Sequence, residues 1–160
     1  MRYVRRVLQP GETIVYATKL HWFIYIRAIL LLIICVILVG AAITVADNQN
    51  LSLALGIAAA LTALLALSVG IGAFIRRATT ELAVTDHRVI YKAGLLARHT
   101  LEMNRDKVES VTVDQTILGR LFGYGTVIVR GTGSSLEPIR NIGDPLTFRS
   151  HITAADQPRE

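Results

Sequence analysis

The stretch WFIYIRAILLLIICVILVGAAITVADNQNLSLALGIAAALTALLALSVGIGAFI, Trp22 to Ile75, decides the fold. From Trp22 to Val45 its only charge is Arg27, and from Leu51 to Phe74 it has none. Each run therefore reaches the roughly 20 apolar residues that cross a bilayer as a helix. A polar break, Ala46-Asp47-Asn48-Gln49-Asn50, separates them. Neither run carries the polar stripe of 3.6-residue period that the outer face of a buried soluble helix would show. In lipid every backbone polar group must be satisfied within its own segment, and a helix achieves this. The reading is a transmembrane helical hairpin over 22–75, with helices at about 22–45 and 51–75.

The flanks orient it. Arg2, Arg5, Arg6, Lys19 and Arg27 stand before or just inside the first helix against the single acid Glu12, and Arg76-Arg77 follow the second, while the turn has no basic residue. Positive charge stays on the cytoplasmic side, so both termini are expected there, in a multi-pass protein of the plasma membrane. Arg27, near the cytoplasmic end of its helix, reads as a snorkelling anchor rather than a charge relay. Trp22, Tyr25 and His21 mark the interface. The twenty residues before the apolar run, and the second run after it, argue against a cleaved signal peptide.

The net charge of +5 divides as +4 over 1–27, −1 in the turn and +2 over 76–160. Basic excess concentrated beside the apolar helices fits attraction to anionic headgroups, and the nearly balanced remainder gives no reason to expect nucleic acid as a partner. Cys35 is the only cysteine, so neither a disulfide framework nor a cysteine metal pair is available. In the second helix Gly56, Ala59, Ala60, Ala63, Ala66, Gly70 and Ala73 recur every three or four residues. Gly56, Ala60, Ala63 and Gly70 are taken as a helix-packing face, serving the first helix of the same chain ahead of a partner chain, with both uses compatible.

Outside the hairpin the texture is β-type. Residues 1–21 form an N-terminal segment in which Thr13–Thr18 is a strand able to join a sheet of the later domain. Residues 76–156 form that domain, with strands expected at Glu81–Val84, Arg88–Lys92, Arg98–Met103, Glu109–Asp114, Tyr124–Arg130 and Leu136–Ile142. Asp144-Pro145 supplies an N-cap and a proline at the first helical position, followed by a short helix through Phe148 and Ile152. Residues 157–160 are a tail. The apolar side chains of Ile117, Leu118, Leu121 and Phe122 fall on one side of a short turn and are expected to form a flap over the core rather than a wedge for the membrane.

Thr85-Asp86-His87-Arg88-Val89-Ile90, Gly94-Leu95-Leu96, Val108 to Gln115, the block Leu118-Gly119-Arg120-Leu121-Phe122-Gly123-Tyr124-Gly125-Thr126, and Asp144-Pro145 with Phe148-Arg149 come in a distinctive order. Together they resemble the bacterial pleckstrin-homology (PH) domain family of YdbS/YdbT-like membrane proteins. The double apolar run, the Pro-Gly-Glu segment and the His-Trp pair before it are similar to the same family. The resemblance implies a PH-like domain of two near-orthogonal antiparallel sheets capped by a C-terminal helix. It implies little about activity.

Thr85, Asp86, Arg88, Gly94, Gln115, Leu118, Gly119, Gly123, Tyr124, Gly125, Asp144 and Pro145 carry the family pattern, and turn and close-approach requirements account for most of them. Arg27, Arg76, Arg77 and Arg120 are candidates for headgroup or partner contact. Arg88, Lys92, Arg98, Arg105, Lys107, Arg130 and Arg140, interleaved with acids, read as a mixed solvated surface. No histidine, cysteine or carboxylate spacing suggests a metal site, a cofactor or a nucleophile. The expected function is a non-enzymatic inner-membrane protein whose PH-like domain binds proteins, itself or the membrane surface. An accessory or assembly subunit of a membrane complex is the alternative, and a lipid-acting enzyme is a distant third.

Overall fold

A computed structural model describes residues 2–95, 99–132, 134–135 and 138–154. The helices are α1 (Arg2–Val7), α2 (Ile26–Thr44), α3 (Gln49–Thr79), α4 (Ile117–Phe122) and α5 (Pro145–Thr153). The strands are β1 (Ile14–Thr18), β2 (Glu81–Thr85), β3 (Arg88–Ala93), β4 (His99–Asn104), β5 (Val108–Asp114), β6 (Tyr124–Gly131), β7 (Ser134–Ser135) and β8 (Ile139–Gly143). The chain forms two compact units, one of Trp22–Ile75 and one of Met1–His21 with Arg76–Glu160. The expected strands at Arg98–Met103 and Leu136–Ile142 begin on residues outside those described; within them, β4 and β8 are strands.

In the apolar unit, the helices touch at Ala28 and Gly70, at Cys35 and Ala59, and at Ala42 and Ser52. These pairs sum to nearly constant residue numbers, so the two helices run antiparallel. Ala59, Ala66 and Ala73, seven residues apart, are buried between them. The Ser52 hydroxyl donates to Ala42 O at 3.0 Å and the Cys35 thiol to Ala59 O at 3.4 Å. Most large side chains point outward, with Val36 and Ile43 each 70% exposed. Both helices are long and apolar enough to cross a membrane.

Helix bounds depart from the hydropathy reading for local reasons. Trp22–Tyr25 is a 3-10 turn, so α2 starts at Ile26. Asn48 Oδ1 accepts from Leu51 N–H at 3.2 Å, an N-cap that starts α3 at Gln49 inside the supposed turn. At the other end Arg76 and Arg77 are good helix formers, and the helix continues through them to Thr79.

The second unit holds two antiparallel sheets. One has the order β1-β2-β3-β4; in the other, β5 lies on one side of β6 while β7 and β8 pair along its opposite side. Leu82, Val84, Val89 and Met103 of the first sheet and Val127, Val129, Ile139 and Ile142 of the second share one core, and Phe148 and Ile152 of α5 complete it. This is the expected PH-like arrangement of two sheets and a C-terminal helix.

The opposite face of the first sheet is also covered. Ala83 and Ile90 pack against Val4 of α1, with Tyr3, Val7, Ile14 and Ala17 around them. That explains why four consecutive residues of β2, Leu82 to Thr85, are buried rather than every second one. Helix α1 has complementary charges at its two ends: the Glu81 carboxylate accepts from Tyr3 and Val4 N–H at 3.1 Å, and Arg88 Nη2 donates to Val7 O at 2.7 Å.

Candidate interaction surface

The residues of the family pattern gather in two places. The first is the β2–β3 hairpin. Glu12, reached through a Pro10-Gly11 turn with Gly11 at φ +86°, is buried against it. Its Oε1 accepts from Thr85 Oγ1 at 2.7 Å and Arg88 Nε at 2.9 Å, and its Oε2 accepts from Arg88 Nη2 and Gln9 N–H, both at 2.8 Å. Arg88 Nη1 reaches Glu102 Oε2 at 2.5 Å. The Arg88 hydrogen bonds hold the Glu12 carboxyl down at about 2, burial opposing them, and Glu12 in turn raises the guanidinium's pKa. Asp86 tethers the same segment, accepting from Thr13 N–H at 3.1 Å and from Thr13 Oγ1 at 3.2 Å, with His87 Nδ1 at 2.9 Å. Its pKa is lowered to about 2, first by His87.

Two cations of the expected solvated surface are therefore structural. Arg88 is only 12% exposed in its side chain and sits between two carboxylates. Arg105 donates to Thr85 O at 3.1 Å and to His151 O and Ile152 O at 2.5 and 3.0 Å, gripping the last turn of α5. A cation at a helix C-terminus is favoured by the backbone carbonyls there.

The second place is a knot at the base of α4. Gln115 Nε2 donates to Tyr124 O at 3.1 Å. Thr116 caps the helix by accepting from Gly119 N–H at 3.0 Å, and Gly123, at φ +72°, ends it. A Cβ on Gly119 would lie 2.6 Å from Tyr124 O, and one on Gly125 would lie 2.9 Å from both Asp114 O and Pro145 Cγ. Asp144 N–H donates to Gly123 O at 2.9 Å while its side chain caps α5 at Thr147 N–H. Gln115, Gly119, Gly123, Tyr124, Gly125, Asp144 and Pro145 thus form one close-packed base, and Gly94 lies apart, at φ +95° after β3.

What this base holds up corrects the expectation of a core flap. Ile117 is 87% exposed and Leu121 75%, and Leu118 and Phe122 are exposed as well. The reason is length: α4 has six residues, and buried Gly119 occupies its inner side, leaving no room there for the larger side chains. Arg120 is exposed in the same turn.

The other candidates lie elsewhere. Arg27 is exposed in the first turn of α2, and Arg76 is exposed in α3. Arg77 Nε donates to Leu20 O at 3.1 Å. Of the proposed packing face, Gly70 meets Ala28 and Ala63 is half-buried, but Gly56 and Ala60 are exposed and line a groove with Cys35, Val39, Ala42 and Ile43.

The four histidines do not converge. His21 stacks on Tyr124 and His151 on Tyr16, His87 pairs with Asp86, and His99 is exposed on β4. Burial, with Arg77 second, lowers the His21 pKa. Among the described residues no group of three or more His, Cys, Asp and Glu could hold a metal ion.

Two antiparallel sheets and a closing C-terminal helix define a fold of the PH class. Residues 15–156 match the family model described as Bacterial PH domain, and the chain belongs to that family. No curated protein and no solved structure gives a significant match to the chain. PH domains generally serve as non-catalytic modules at proteins or membrane surfaces, and an interaction role of that kind is the functional content of membership.

Proposed function

We propose that the protein is a multi-pass component of the bacterial inner membrane with both termini cytoplasmic, and that its PH domain is non-enzymatic and mediates protein–protein or membrane-surface contacts. The observation that carries this reading is the pairing of β1 with β2, Thr18 opposite Leu82, across the inserted apolar helices. Strands that neighbour each other in one sheet lie on one side of any bilayer, so the chain between them must cross an even number of times. Two apolar helices supply two crossings. The outward side chains of those helices support lipid as their solvent, because a soluble helical pair would bury them. Basic residues on both flanks support the cytoplasmic side.

An accessory role in a larger membrane complex is the second reading, supported by the exposed Gly56 and Ala60 in their apolar groove, where a further helix could approach closely. One preparation tests both. Membranes bearing the full chain should retain it through alkaline carbonate extraction, and release into the supernatant would overturn the integral reading. Gentle extraction followed by native mass spectrometry then separates the two: a lone chain or homo-oligomer supports the first, and a second polypeptide in fixed ratio supports the accessory role.

A further inference from the structure

We propose that α4, together with Leu146, enters the headgroup–acyl boundary of the same membrane that the apolar helices cross. This rests on the integral-membrane reading and names the lipid surface as the partner of this one face. Three observations carry it: what the face exposes, where it stands in its own unit, and its charge.

Ile117, Leu118 and Leu121 project from a rigid base rather than from a slack loop, and Leu146, 56% exposed, follows Asp144, whose N–H is bonded to Gly123 O at the end of α4. An exposed aliphatic cluster on a preorganised support is costly in water and gains by transfer to an apolar phase. Its charge is mixed at the edge and basic at the centre: Arg120 is exposed among the aliphatic side chains with no acid between Gln115 and Tyr124, while exposed Asp114 and Asp144, the latter capping α5, flank the cluster.

Position selects lipid. His21, which precedes the apolar helices, is fixed in this unit beside the α4 base, and Arg77 in the last turns of α3 is tied to its neighbour Leu20. His21 N–H donates to Asn141 O at 2.6 Å and its ring stacks on Tyr124 with centroids 5.7 Å apart. Gly143 N–H donates to Lys19 O, and Arg77 to Leu20 O. Tyr124 is the residue whose carbonyl Gln115 and Gly119 enclose. The exposed cluster thus stands at the end of the unit where its chain leaves for the membrane. Covalent attachment holds such a surface at high effective concentration, so a weak wedge suffices. A stable protein interface needs about 800 Å² from each partner, more than a single six-residue helix and one leucine offer.

The test uses the full chain in nanodiscs of phosphatidylethanolamine and phosphatidylglycerol. Cys35→Ser removes the native thiol while keeping a hydroxyl able to donate to Ala59 O, and an environment-sensitive fluorophore is attached in turn at Leu121→Cys, Ile117→Cys, Glu109→Cys on β5 and Leu64→Cys in α3. The expected result is blue-shifted emission at 117 and 121, quenched by lipids spin-labelled near the headgroup, consistent with a depth of about 5–10 Å for interfacial elements. Position 109 should stay aqueous and position 64 should be quenched by deep labels. Aqueous emission at 117 and 121 with position 64 still quenched overturns the wedge and leaves the integral reading standing. Shielding of 117 and 121 from iodide without lipid quenching assigns the face to a protein and also overturns it. Loss of quenching at position 64 fails the integral reading, and the wedge falls with it.

Discussion

Glu12 and Arg88 are 76 positions apart in the chain and meet as a buried pair, with Thr85 and Glu102 completing the contacts. Removing one partner of such a pair leaves a charge uncompensated, and the loss for Glu12→Gln should be about 3 kcal/mol, the low side because Glu102 still faces the guanidinium. The pH dependence has a definite sign. Glu12 titrates at about 2 in the folded chain instead of 4.5, so its contribution is fully present above about 4.5 and is lost as pH falls toward 2. Thermal unfolding of the full chain in detergent, followed by near-ultraviolet circular dichroism, should show a lower midpoint for Glu12→Gln at neutral pH and a shallower acid slope than the parent; identical acid slopes would contradict the assignment. In sequence Glu12 is one acid in a basic flank and Arg88 one cation among seven interleaved with acids. Charge counting cannot pair residues this far apart, because the pairing depends on β1 and β2 being neighbours.

At the scale of the element, the family pattern and the exposed face of α4 play separate parts. Gly119→Ala places a Cβ 2.6 Å from a backbone oxygen that cannot swing away, and should destabilise the domain by about 1–3 kcal/mol through forced repacking. Leu121→Ser changes an exposed position and should leave the stability within about 0.5 kcal/mol of the parent. The same melts in detergent check both, and equal losses at the two positions would dissolve the distinction between base and presented face. Glycine and cap residues made the turn legible from sequence, and the grouping of Ile117, Leu118, Leu121 and Phe122 was legible too. Their direction was not, since six residues show an apolar side without showing whether anything covers it. Helix α1 went unread for a related cause: Arg2–Val7 is too short for a helical period, and its ends are held by Glu81 and Arg88 from distant strands. The longer β strands of the domain were readable from alternation and turn residues; the two-residue β7, in a stretch read as a hairpin turn, was not, and β2, covered on both faces, needed α1 to explain its continuous burial.

For the whole molecule, the organising fact is that a pair of apolar helices is inserted between two strands that are neighbours in one sheet. Hydropathy identifies the insertion, while strand pairing makes its consequence strict: residues 18 and 82 share a side, whatever lies between. The family match begins at residue 15 and ends at 156, so the inserted helices belong to the matched unit along with β1. On this account the PH domain is held at the bilayer by its own chain, and contacts too weak to recruit a soluble domain are sufficient to orient it. The most direct test of the central claim is two-sided tag accessibility: epitopes placed before Met1 and after Glu160 of the full chain, probed with a membrane-impermeant protease in spheroplasts and in inverted vesicles. The account predicts that both tags survive in spheroplasts and both are removed in inverted vesicles. Removal of one tag in each preparation would mean an odd number of crossings and contradict it, as would removal of both in spheroplasts.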